Sequence, residues 1–149
     1  MANLLKVSEA ASLALHSMVL IAEKSPKLIS ARAMAERLNV SEAHLSKVLQ
    51  RLGRDGLVRS IRGPGGGFTL LKKPEEVTLL DIYESIEGPL EASSCLFSNP
   101  VCGNKGCILG GLLDKVDTEV RSYLSGKKLS DLAGVYGEGR IDAQKDNKD

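Results

Sequence analysis

Cys95, Cys102 and Cys107 are the only cysteines in a chain of 149 residues, and they sit together in the stretch CLFSNPVCGNKGC, with six residues in the first gap and four in the second. Thiolates are nucleophiles, redox centres and soft metal ligands, so three in one short stretch point to metal or redox chemistry. An odd number in a reducing compartment argues against a disulfide framework. Structural zinc matches poorly, because it favours Cys-x-x-Cys pairs completed by Cys or His, and the two histidines, His16 and His44, lie far back in the chain. Inert thiols belong in a core, whereas this stretch is rich in Gly, Asn, Ser and Pro. Two readings stay open. Pro100, Gly103 and Gly106 can let the loop fold three thiolates around an iron–sulfur cluster, or the thiols can form a disulfide sensor without metal.

A second constellation is basic. The net charge is only +1, yet Ser41 to Lys73 holds Lys47, Arg51, Arg54, Arg59, Arg62, Lys72 and Lys73 against Glu42 and Asp55, a local footprint for nucleic acid. The elements that carry it can be read from periodicity. Ala10, Leu13, Ala14, Met18 and Ile21 predict one long helix over 4–23, ended by Ser25-Pro26. Ser30 caps a short helix over 31–38 with Asn39 as a left-handed stop. Ser41 caps the next, in which Leu45, Val48, Leu49 and Leu52 form the inward stripe, while His44, Lys47, Arg51 and Arg54 face outward with Ser46 and Gln50 beside them. Two such helices make a helix-turn-helix whose second helix can enter a major groove.

Strands over 57–61 and 68–72 with RGPGGG between them add a wing. A Walker loop is excluded, because Phe68 follows Gly67 where Lys and then Ser or Thr are required, and the dinucleotide fingerprint fails at the same residue. Gly63 and Gly65 leave the tip bare enough to lie on a sugar-phosphate backbone, and Arg62 can reach a narrow minor groove. DNA binding is therefore the leading expectation.

The segment VSEAHLSKVLQRLGRDGLVRSIRGPGGGFTLLKKPEEVTLLDIYESIEGPL, residues 40–90, resembles the Rrf-two family of bacterial winged-helix repressors, the group that includes IscR, NsrR and CymR, and the similarity extends over residues 4–133. The resemblance implies a mainly α fold with a small β-wing: a winged helix-turn-helix domain plus a long dimerisation helix. It implies a homodimer on a double-stranded, dyad-symmetric operator, contacted by Ser41, His44, Ser46, Lys47, Arg51 and Arg62, to which the reading of the wing adds Arg59, Gly63 and Gly65. Ser46 stands where several relatives have Glu, so operator preference does not carry over. It also implies an iron–sulfur cluster, two-iron or four-iron, on Cys95, Cys102 and Cys107. Some relatives resemble one another in supplying a histidine three residues later, where this chain has Gly110; others use an acid at the start of the first helix, of the same or the partner subunit, which makes Glu9 the expected fourth ligand and Ser8 or an exogenous small ligand the fallback. The function implied is a repressor whose operator affinity follows redox, nitric oxide or iron–sulfur status. The alternative is a cluster-free repressor governed by cysteine oxidation or a partner protein.

Thr78 and Asp81 form a capping box for a helix that Gly88-Pro89 ends. Ile108, Leu109, Leu112, Leu113, Val116, Val120, Tyr123 and Leu124 predict a long helix with an apolar seam, expected to pair across a two-fold axis. Leu129 to Ala133 reads as a last short helix. The expected organisation is a DNA-binding domain over 1–75, the linking helix, cysteine loop and dimerisation helix over 76–134, and a disordered tail over 135–149. No nucleophile–base pair or paired acids suggest an enzyme. No span of roughly 20 apolar residues and no signal sequence are visible, so the expected location is the cytoplasm, away from membranes.

Overall fold

The Ser8 side chain accepts a hydrogen bond from the Ala11 N–H at 3.0 Å, and helix α1 (Glu9–Lys24) starts there. In this computed structural model residues 5–103 and 105–137 are described. The start expected at residue 4 is corrected to Glu9: the Ser8 N–H is taken by Glu87 Oε1 at 2.9 Å, which leaves residues 5–8 outside the helix. Ser30 caps α2 (Ala31–Leu38), Asn39 closes it at φ 55°, and Ser41 caps α3 (Glu42–Arg54). Leu45, Val48, Leu49 and Leu52 are all buried, as the stripe on α3 requires.

The wing is an antiparallel pair, β1 (Val58–Ile61) and β2 (Gly67–Leu70), in register from Val58↔Leu70 to Ile61↔Gly67. Both strands are shorter than expected: Leu57 precedes the ladder, while Leu71 and Lys72 come after it. The glycines between them have two different jobs. A Cβ on Gly66 would lie 2.2 Å from the Ile61 carbonyl oxygen, and one on Gly67 would lie 2.6 Å from that of Ile29. Gly67 thus lets β2 pair back with the loop before α2, where Phe68 and Ile29 exchange N–H···O bonds of 2.8 and 3.2 Å. Gly63 and Gly65, at φ 99° and 72°, face open space.

A 3₁₀ turn (Pro74–Glu76) leads to α4 (Leu79–Glu87), opened by the reciprocal Thr78–Asp81 cap. Helix α5 (Leu112–Gly126) begins later than its apolar seam predicts. Gly110 and Gly111 are both left-handed, at φ 55° and 83°, so Ile108 and Leu109 stand before the helix and not on it. The chain then returns. Leu79 donates to the Lys127 carbonyl at 2.9 Å, Leu129 donates to that of Val77 at 3.0 Å, and a second 3₁₀ turn (Leu129–Leu132) buries Leu129 in the same core as Met18, Ile21, Met34, Leu49 and Ile82. Tyr136 packs against that core too, so residues 135–137 are not the loose tail expected; the rest of it, 138–149, lies outside the described residues.

No described helix is long and apolar enough to cross a membrane. The glycine geometry predicts that Gly67→Ala costs roughly 2–4 kcal/mol in urea unfolding, because backbone blocks the new methyl. Gly63→Ala should cost about 1 kcal/mol, for its positive φ alone. Equal losses would show that the run is a single uniform turn.

Candidate nucleic-acid interface and cysteine loop

Helix α3 and the wing enclose a groove of about 790 Å³. Ser46, Gln50 and Arg54 line it from the helix and Arg59, Ser60 and Arg62 from the wing, over a floor that includes Leu49, Val58 and Phe68. Ser46, Gln50 and Arg54 recur every four residues, which puts them on one helix face. Gln50 and Arg54 were not among the expected contacts, although that spacing was legible. Lys47 and Arg51 are exposed on the same helix, and among the described residues none of Lys47, Arg51, Arg54, Arg59 and Arg62 is in an ion pair. This positive charge is uncompensated, as a phosphate-facing surface requires.

Ser41 serves first as a cap: its Oγ accepts the His44 N–H at 3.4 Å. His44 is half-buried, and its Nδ1 lies 3.6 Å from Glu9 Oε1. The expected fourth ligand therefore touches the recognition helix, and no described group brings it together with the cysteines.

Among the described residues the cysteine loop has no helix or strand between Gly88 and Leu112. All three thiols are free; Cys95 is half-buried, Cys102 and Cys107 are exposed, and among the described residues no three metal-ligating side chains converge. The donor set nonetheless fits an iron–sulfur cluster in kind, since iron in such clusters takes thiolates and all three sulfurs lack disulfide partners. The loop is fastened at its root. Leu90 donates to Glu84 Oε1 at 3.0 Å, and its carbonyl accepts from Arg121 of α5.

Cys95 shares a cavity of about 560 Å³ with Lys6, Tyr83, Glu87 and Phe97. Tyr83 donates to the Lys6 carbonyl at 2.7 Å, and burial, helped by the Glu87 charge, pushes its phenol above the ordinary range. Hydrogen bonding from Ser8 holds the Glu87 carboxyl below the ordinary range. Ser85 donates to Asp55, which caps the C-terminal end of α3, so α4 touches the cysteine-loop root, the α1 cap and the recognition helix. On α5, Leu113 is buried, Val116, Val120 and Leu124 are half-buried, and Leu112 and Tyr123 are exposed; Ile108, ahead of the helix, is 83% exposed and Leu109 half-buried.

A basic recognition helix beside a two-stranded wing defines a winged helix-turn-helix, DNA-binding transcriptional regulator. Residues 7–134 match the Rrf2 family, described as iron-dependent transcriptional regulators, and the chain belongs to that family. It is 35% identical to the HTH-type transcriptional regulator NsrR of Bacillus subtilis over 101 residues, covering 63% of this chain and 69% of that one. Among solved structures it resembles CymR (YrzC), the global cysteine regulator of B. subtilis, with 30% identity and a TM-score of 0.74 over 88% of this chain and 98% of that one. It also resembles T. potens IscR, with 26% identity and a TM-score of 0.66 over 86% and 85%.

The Ser8–Glu87 contact carries a pH signature. A carboxyl depressed by folding contributes stability that is present above its ordinary pKa, near 4.5, and is lost as pH falls through the folded value. Glu87→Gln should lower Tm at neutral pH, where the carboxylate contributes, and flatten the acid limb, so that variant and wild type converge as pH falls. An acid limb identical to wild type would show that the contact contributes nothing.

Proposed function

We propose that the chain is a homodimeric, cytoplasmic repressor that binds a dyad-symmetric operator and changes its affinity with an iron–sulfur cluster held by Cys95, Cys102 and Cys107. The observation that carries this reading is the placement of the thiols. All three stand on one loop whose root is hydrogen-bonded to α4 and α5, and α4 is bonded in turn to the end of the recognition helix.

When bound, a cluster supplies an iron centre reactive toward oxygen and nitric oxide. The chain's own residues do the rest. The loop must close to gather its thiolates, and Glu9 completes the set only by leaving His44, whereas Ser8 in its place must give up its cap on the Ala11 N–H. Closure pulls on the Leu90 anchor, and with it on Glu84 and Arg121. Ser41, His44, Ser46, Lys47 and Arg51 meet the major groove, while Arg59, Arg62 and the bare Gly63 and Gly65 meet the adjoining backbone and minor groove. The exposed Leu112 and Tyr123, with Val116, Val120, Leu124 and the preceding Ile108 and Leu109, give each subunit the apolar surface that a two-fold partner covers; Leu113 stays inside its own chain.

The cluster is tested by iron, sulfide and visible absorption in protein purified without oxygen. The expected result is a brown protein with broad absorption that Cys102→Ala loses. Colourless, iron-free protein that still binds DNA would replace this reading with a thiol-sensing repressor, which the exposure of two free thiols favours. For the DNA face, Arg62→Ala should cost about 1–3 kcal/mol on a duplex selected by the protein and less on random DNA. Equal loss on both would make Arg62 a phosphate contact.

A further inference from the structure

After α5 the chain folds back across α1 and the first helix of the helix-turn-helix, α2, and is fastened there by side chains of both. Glu23 of α1 accepts the N–H groups of Gly134 and Tyr136 at 3.1 and 3.3 Å. Arg37 of α2 donates to the carbonyls of Tyr136 and Gly137 at 2.9 and 3.2 Å. The same guanidinium lies 5.9 Å from the centre of the Tyr136 ring, and His16 meets that ring edge-on at 6.3 Å. Burial, with the Glu23 charge adding to it, pushes the Tyr136 phenol up to about 12. Arg37 is a cation on the first helix of the helix-turn-helix, yet it is spent on carbonyls of its own chain.

A helix fastened along one line can still rotate about that line. Helix α5 is fastened to α4 through Arg121 and Leu90 near the loop root. Its far end is held through the residues beyond Gly126, first by the Val77–Leu129 pairing and then by this contact with α1 and α2. Two fastenings on different elements fix an angle. In a dimer built on α5, that angle sets how far apart the two recognition helices stand, and half-sites tolerate little error because successive turns of DNA lie about 34 Å apart.

We propose that Glu23, Arg37 and Tyr136 form a clasp that sets the angle between α5 and the helix-turn-helix, and so selects the half-site spacing the dimer accepts; this rests on the proposed dyad operator. They are positioning residues that need no contact with DNA. The Tyr136 hydroxyl is buried without a partner among the described residues, so the ring and the backbone carbonyl do the work.

The test uses the full chain and a set of duplexes: a sequence selected by the wild-type protein, with the spacing between its half-sites lengthened or shortened by one and two base pairs, and a single half-site. Wild type and Tyr136→Phe should prefer one spacing over its neighbours by about tenfold or more, as expected when a mismatch costs about 1.4 kcal/mol. Tyr136→Ala and Arg37→Gln should cut that preference at least threefold while binding the single half-site as wild type does. If Tyr136→Ala fails to fold, Arg37→Gln alone decides. A uniform loss at every spacing, or an unchanged preference, would reject the clasp. A wild type indifferent to spacing would reject the dyad operator itself, and the clasp with it.

Discussion

Burial of one face of α1 places nearly everything else. Ala11, Ala14, Met18 and Ile21 are fully shielded from water, and α3, α4, β2 and the returning C-terminal segment all pack on that helix. The physical need is rigidity. Base edges are read by hydrogen bonds with tolerances of a few tenths of an ångström, so a recognition helix must be backed by a close-packed core that does not yield. The stripe of α3 that faces this core leaves its polar side free, and the wing is held at a defined distance by the Ile29–Phe68 pairing, which only glycine at position 67 permits.

The same scaffold brings the cysteine loop within mechanical reach of the DNA face. Helix α4 is short, yet it binds Ser8 through Glu87, the loop root through Glu84, and the end of α3 through Ser85 and Asp55. Glu9, next to the Ser8 cap, is in contact with His44 of the recognition helix. A change in the loop therefore acts on packed, hydrogen-bonded elements, and such elements shift between discrete arrangements more readily than they deform.

Much of this was legible because it is local. Ser30, Asn39, Ser41 and Thr78 act where capping chemistry predicts, since each involves partners only a few residues away. The misses have non-local or conformational causes. Helix α1 starts late because Glu87, far along the chain, claims the Ser8 N–H. Helix α5 starts late because apolar periodicity is blind to two consecutive left-handed glycines. Tyr136 looked like part of a polar tail because its partners, Glu23 and Arg37, are about a hundred residues distant. The three thiols were visible as a group, but among the described residues they do not converge, because nothing in the loop's own sequence pulls them together.

Operator affinity measured at fixed salt, on one preparation before and after anaerobic reconstitution with iron and sulfide, tests the link between loop and DNA face most directly. The expected result is a change of roughly 5- to 150-fold, the range of an ordinary coupling of about 1–3 kcal/mol, and no change in Cys102→Ala treated identically. Equal affinity in both states of the wild-type protein would contradict that link, because the thiols would then have no influence on the recognition helices.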